Sequence, residues 1–158
     1  MDDISDIWDA YVLRASMIGT EQHRWRSRGE IKKVLYLEQM QKIDDHAYYC
    51  LVFAQFDNFI KTRFRNLIAI ETATANGSTR AAWKYLKGNK PDFVSMIELL
   101  LPDHPLIHER VRELYRDRNR IVHDAKLTLL IELWRIVDDL KYIAELIDTT
   151  LPTPEAAP

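Results

Sequence analysis

Cysteine occurs once in the 158 residues, at Cys50. An internal disulfide is therefore excluded, and the composition fits a reducing cytoplasm. That thiol lies in an apolar run and reads as a small buried hydrophobe. Glycine is nearly as scarce, with four in the chain. There is no Gly-rich phosphate loop, no G-x-S-x-G elbow and no Cys–His metal set, so neither a cofactor nor a metal is expected. No apolar run approaches the roughly 20 residues of a bilayer span. The acidic start is not expected to be a signal peptide, and no membrane partner is expected. The charge of either sign is in little excess: the formal net value is -2. That balance argues against a protein that coats nucleic acid non-specifically.

What is present is apolar and helix-forming. Apolar residues make up 47% and charged residues 29%, the composition of a globular chain long enough to bury a core. No alternating strand pattern bounded by turn residues occurs, so the chain reads as all-α. The first helix is expected from about Asp3 to Ile18, ending near Gly19. A polar, basic segment follows from Thr20 to Gly29. A long helical stretch covers Glu30 to about Ala75, with a bend at Asp44-Asp45 allowed but not required. Asn76-Gly77-Ser78 reads as a loop, and Thr79 caps a short helix through Leu86. Gly88-Asn89-Lys90-Pro91 is a second loop. Asp92 to Leu101 is another short helix, stopped by Pro102. Pro105 opens a helix to about Val122, and Leu127 to Asp148 forms the last one. Residues 1–150 are thus expected as one domain, an up-and-down helical bundle with two short inserted helices. Residues 151–158, with three Pro, are expected as an unstructured tail.

Charge is uneven along this chain. Arg110, Arg112, Arg116, Arg118 and Arg120 crowd one stretch, which runs on as Ile121-Val122-His123-Asp124. A helix turns about 100° per residue, so Asn119 and His123 lie about 40° apart on one face. Arg116 and Arg112, seven and eleven residues before His123, fall near the same line. That face carries cations, an amide and a titratable base, which suits a polyanion. Arg118 points elsewhere. Ile107, Val111, Leu114 and Ile121 mark the apolar stripe, and Arg118 lies along it or at its rim. A guanidinium there needs an acidic or carbonyl partner. The long helix holds a matching anomaly. Asp57 interrupts the stripe of Phe53, Phe56, Ile60, Phe64 and Leu67, with Lys61 one turn later. A pairing of Asp57 with Arg118 would hold the orientation of the motif.

The Arg118-Asn119-x3-His123 element resembles the signature of the HEPN superfamily, helical-bundle ribonucleases and nucleotide-binding proteins. That signature is an Arg, four to six residues, then a His, with a polar residue directly after the Arg. Several HEPN ribonucleases add a Glu-x3-Lys motif on an earlier helix. Asp57-x3-Lys61 resembles it with Asp in place of Glu. The motif residues span about a dozen positions, and the helical setting covers most of the chain. The resemblance implies a homodimer with the two motifs facing across the interface. It implies metal-independent cleavage of RNA, with Arg118, Asn119 and His123 as the catalytic set. Asp57, Lys61, Arg116 and Arg112 would support the site or bind RNA. It also implies a place in toxin–antitoxin or other defence systems, with an antitoxin protein as partner.

The groups themselves suggest the chemistry. RNA carries its own nucleophile, the 2′-hydroxyl. An imidazole, with an ordinary pKa of about 6.5, can take or give a proton near neutral pH. An arginine supplies permanent positive charge to the transition state. Asn119 can bind a phosphate oxygen or fix the histidine tautomer. The expected product has a 2′,3′-cyclic phosphate, and DNA is not expected to be cut.

Simpler readings stand beside these. Arg110, Arg112 and Arg120 are expected mostly to pair with Glu109, Glu113 and Asp117, leaving Arg116 as the cation to test. His23 to Arg28 with Trp25 suits stacking on bases and contact with phosphates, or is a solvated loop with one packed Trp. His104 and His108 have metal-ligand spacing but lack a third ligand, so they read as surface histidines, and His46 reads as structural. Tyr48, Tyr49, Phe53 and Phe56 read as core or dimer interface. The competing functional class is a catalytically inactive helical module that binds RNA or a protein partner.

Overall fold

The structure is a computed structural model that describes residues 2–123 and 130–151. Among these residues there are six helices and no strand: α1 (Asp2–Ser27), α2 (Ile31–Thr74), α3 (Gly77–Gly88), α4 (Phe93–Leu100), α5 (Pro105–His123) and α6 (Leu133–Thr150). The fold is an all-α helical bundle, with α3 and α4 as the two short helices between long ones. No helix among the described residues is long and apolar enough to cross a membrane.

The first helix corrects the sequence reading. It does not stop at Gly19 but runs through the basic segment to Ser27. One glycine in a helix interior costs only about 1 kcal/mol, which the helix absorbs. Ile18, directly before it, is buried, and the Thr20 hydroxyl donates to the Ser16 carbonyl at 2.9 Å. The true stop is Gly29, whose φ of 72° is open to glycine at little cost. The Glu30 N–H donates back to the Trp25 carbonyl and the Gly29 N–H to that of Arg26. This pair of bonds is a Schellman cap, and it turns the chain directly into α2.

α2 runs unbroken for 44 residues, past Asp44-Asp45. α3 starts two residues before Thr79, at Gly77, with Asn76 in the cap position but no side-chain bond. α4 has a working cap, since the Asp92 carboxylate accepts from the Ser95 N–H at 2.9 Å. That bond, more than any other contact, holds the Asp92 carboxyl below its ordinary range. Leu130 to Glu132 are not helical and α6 begins at Leu133, later than expected. The expected helical residues 127–129 and the expected tail beyond Leu151 lie outside the described residues.

The chain divides into two compact units. The first comprises α1, α2 up to Gln55, α5 from Tyr115 and α6 to Asp139. Its core contains Ile4, Ile18, Val34, Tyr49, Val52, Phe53, Leu133 and Val137. α1 meets α2 through a half-polar seam. The Tyr11 hydroxyl donates to Asp45 at 2.9 Å, Gln41 donates to the same carboxylate at 2.7 Å, and Arg14 pairs with Asp44 at 2.8 Å. Burial, helped by Asp45, pushes the Tyr11 hydroxyl up to about 12.

The second unit holds α2 from Phe56, α3, α4, α5 up to Leu114 and α6 from Leu140. Phe56, Ile60, Ile97, Val111, Leu140 and Ile147 are fully buried there. Each such side chain contributes about 1.5–3 kcal/mol by leaving water. The ring of Phe56 meets that of Phe93 edge-on, with centroids 6.1 Å apart.

Candidate functional site

The motif occupies the last turns of α5, in the first unit. Tyr115 begins this segment and lies against α2, its ring centroid 6.1 Å from that of Phe53. Arg118, one turn on, is half-buried, and its charge is felt by Cys50 of α2. The Tyr115–Phe53 ring contact thus indexes the end of α5 on α2, and Arg118 lies near enough to Cys50 for its charge to act there. Burial pushes the Cys50 thiol up, while the Arg118 guanidinium pulls it the other way.

Arg118 donates to the side-chain oxygen of Asn119 at 2.9 Å. An oxygen acceptor holds the guanidinium, and the Asn119 amide is held in turn. Its NH2 group has no partner among the described residues and is the part able to donate to a phosphate oxygen. His123 is exposed and Asn119 half-buried. Arg116 is exposed and has no acidic partner among the described residues. The neighbouring cations are neutralised: Arg110 pairs with Glu113 at 3.0 Å and Arg120 with Asp117 at 3.9 Å. Arg116, two helical turns before His123, is therefore an exposed cation with no acidic partner among the described residues.

Asp57, Lys61 and Arg112 lie in the second unit, and each has an oppositely charged partner. Asp57 is half-buried, on the flank of the α2 core stripe, and forms an ion pair with Lys61 one turn later. Arg112 pairs with Glu98 of α4, a partner that local spacing on its own helix does not suggest. Asp57 is thus engaged by Lys61, and Arg118 by Asn119.

The basic segment around Trp25 is helical rather than a loop. Arg24, Arg28 and Lys33 lie over the half-buried ring at 5.4, 5.3 and 3.7 Å from its centroid. These cations occupy the surface that a stacked base would need. His46 is buried, and its Nδ1–H donates to the Lys42 carbonyl at 2.6 Å, a structural role. His108 is not a free surface histidine. Its Nε2–H donates at 2.7 Å to the carbonyl of Leu101, the residue that ends α4. No group of three or more potential metal ligands occurs among the described residues.

Sequence reasoning missed a cavity of about 540 Å³ in the second unit, lined by residues of α2, α3 and α4 together with Lys90. A signal for it exists in the 4-3-4 spacing of Lys61, Arg65, Ile68 and Thr72, a second stripe of α2 that mixes cations with apolar groups. No family model, curated protein or solved structure matches this chain.

Proposed function

We propose that this protein is a HEPN-type endoribonuclease that cleaves RNA through the 2′-hydroxyl and needs no metal. The observation that carries the reading is the open end of α5. There His123 and Arg116 are exposed beside Asn119, while the cations around them are paired off. A neutral His123 removes the 2′-hydroxyl proton as that oxygen attacks the adjacent phosphorus. The bond from phosphorus to the 5′ oxygen breaks, and a protonated histidine delivers the proton to that leaving oxygen. The products are a 2′,3′-cyclic phosphate and a 5′-hydroxyl. Arg116 and the Asn119 amide neutralise charge on the non-bridging oxygens. Arg118 is a positioning residue, since it acts through the Asn119 side chain.

One histidine cannot be base and acid in the same step, so a second copy with its own motif completes the site. The first unit also exposes Leu13, Met17, Leu35, Tyr36, Ile43 and Leu51, an apolar supply that suits a partner protein or a second copy. In this reading the protein is a toxin or antiviral-defence component, held in check by an antitoxin.

The engagement of Asn119 by Arg118 favours a second reading, a module that binds RNA without cutting it. Incubating the protein with RNA in excess chelator separates the two. The wild type should leave cyclic-phosphate ends, and His123→Ala should cut about 10²–10⁴-fold more slowly. RNA that is bound but uncut by the wild type would support the second reading. Cleavage that appears only on adding a divalent metal would exclude the proposed mechanism.

A further inference from the structure

The cavity in the second unit has a composition unlike that of the motif. Phe64, Ile68, Ala69, Leu86 and Met96 give it apolar walls, and Lys61, Arg65, Lys87 and Lys90 place four cations on its lining. None of its lining residues is acidic among the described residues. Lys61 is neutralised by Asp57, but Arg65, Lys87 and Lys90 have no acidic partner among the described residues. The size lies within the range of small-molecule sites, roughly 300–1,000 Å³.

Two further observations show that the space is under-filled. α3 is amphipathic, yet none of its residues is fully buried; Leu86 and Trp83 are only half-covered. The hydroxyl of Thr72, another lining residue, is buried with no hydrogen-bond partner among the described residues. Other α2 threonines differ: Thr62 and Thr74 each donate to the carbonyl one turn back, at 2.9 Å. That unmet hydroxyl marks imperfect packing around this part of α2.

We propose that this cavity binds a single-chain anionic amphiphile: an apolar tail against the α2, α3 and α4 walls, and an anionic head among Arg65, Lys87 and Lys90. Charge complementarity selects the head. The tail follows from what the walls lack. Among the described lining residues no side chain but Thr72 is polar and uncharged, and none is acidic, so a nucleobase's N–H donors would go unmet by side chains. An alkyl chain has none to leave.

The test is calorimetric titration of the full-length protein below micelle-forming concentrations. The probes are dodecanoate, dodecyl phosphate, dodecanol, dodecyltrimethylammonium and adenosine monophosphate. Dodecanoate should bind at least tenfold more tightly than dodecanol, and the cationic amphiphile should not bind. Dodecyl phosphate against dodecanoate shows which head the cations prefer. Lys87→Gln with Lys90→Gln, both exposed positions, should remove the preference for dodecanoate and leave dodecanol binding unchanged. Ala73→Trp, at an exposed helical position lining the cavity, should abolish binding of every amphiphile while preserving the helical signal. Equal binding of all four twelve-carbon amphiphiles would mean adsorption and overturn the proposal. So would full binding by Ala73→Trp, or displacement of dodecanoate by adenosine monophosphate or an RNA oligonucleotide. RNA cleavage by the double Lys variant is expected to be unchanged, which keeps this result separate from the α5 reading.

Discussion

At the scale of single residues, partners decide what each group does. Five arginines crowd one stretch of sequence, yet three have acidic partners, one holds an asparagine, and Arg116 alone lacks a partner among the described residues. That Arg116 is exposed on the side of α5 away from its apolar stripe was legible from helical angles alone. The Arg112–Glu98 pair was not, because its partner lies 14 positions away on another helix. Tyr11 shows the same dependence on a distant residue, Asp45. Its hydroxyl is raised in the folded chain, from 10.0 to about 12. The folded form therefore keeps a proton that the unfolded chain gives up, and the stabilisation is complete below pH 10. It is lost as pH rises from there toward 12. Tyr11→Phe should cost about 1 kcal/mol at neutral pH. The gap between variant and wild type, measured by urea unfolding, should narrow above pH 10. A gap that stays constant to pH 11.5 would contradict this.

At the scale of elements, two glycines of similar appearance in sequence do opposite things. Gly19 is inside α1 and Gly29 ends it, and an added Cβ would meet nothing within 4 Å at either position. Any difference between their alanine variants is therefore conformational. Gly19→Ala should stabilise by about 0.5–1 kcal/mol, because alanine gives up less freedom in a helix. Gly29→Ala should destabilise by about 1–2 kcal/mol, because φ is 72°. Thermal melts of the two variants should move in opposite directions. Local pattern could not separate these cases. Gly19 precedes a run of polar residues that resembles a loop, and only the buried Ile18 and the Schellman bonds reveal where the helix stops. The long α2, by contrast, was fully legible, since its stripe from Phe53 to Leu67 repeats at helical spacing and each member is buried.

At the scale of the whole molecule, no contiguous stretch of chain corresponds to either compact unit. α2, α5 and α6 each contribute to both. A fragment of residues 1–55 lacks Leu133 and Val137, which belong to the buried core of its unit. Such a fragment should lose helical signal gradually on heating, without the cooperative transition of the full chain. A sharp melt of the fragment would show that α1 and the start of α2 suffice. The helical class and the order of long and short elements were readable from sequence because each depends on local periodicity. The cavity was not, since it depends on how closely α3 approaches α2, and the pattern of α3 is that of any packed amphipathic helix.

The isolated thiol of Cys50 takes on a different value once its place is known. It is the chain's one cysteine, half-covered, and it lies within the electrostatic reach of Arg118. A reporter group attached there carries a unique address at the root of the motif. The molecule thus has an attachment point for following the motif spectroscopically, with no residue needing to be engineered in.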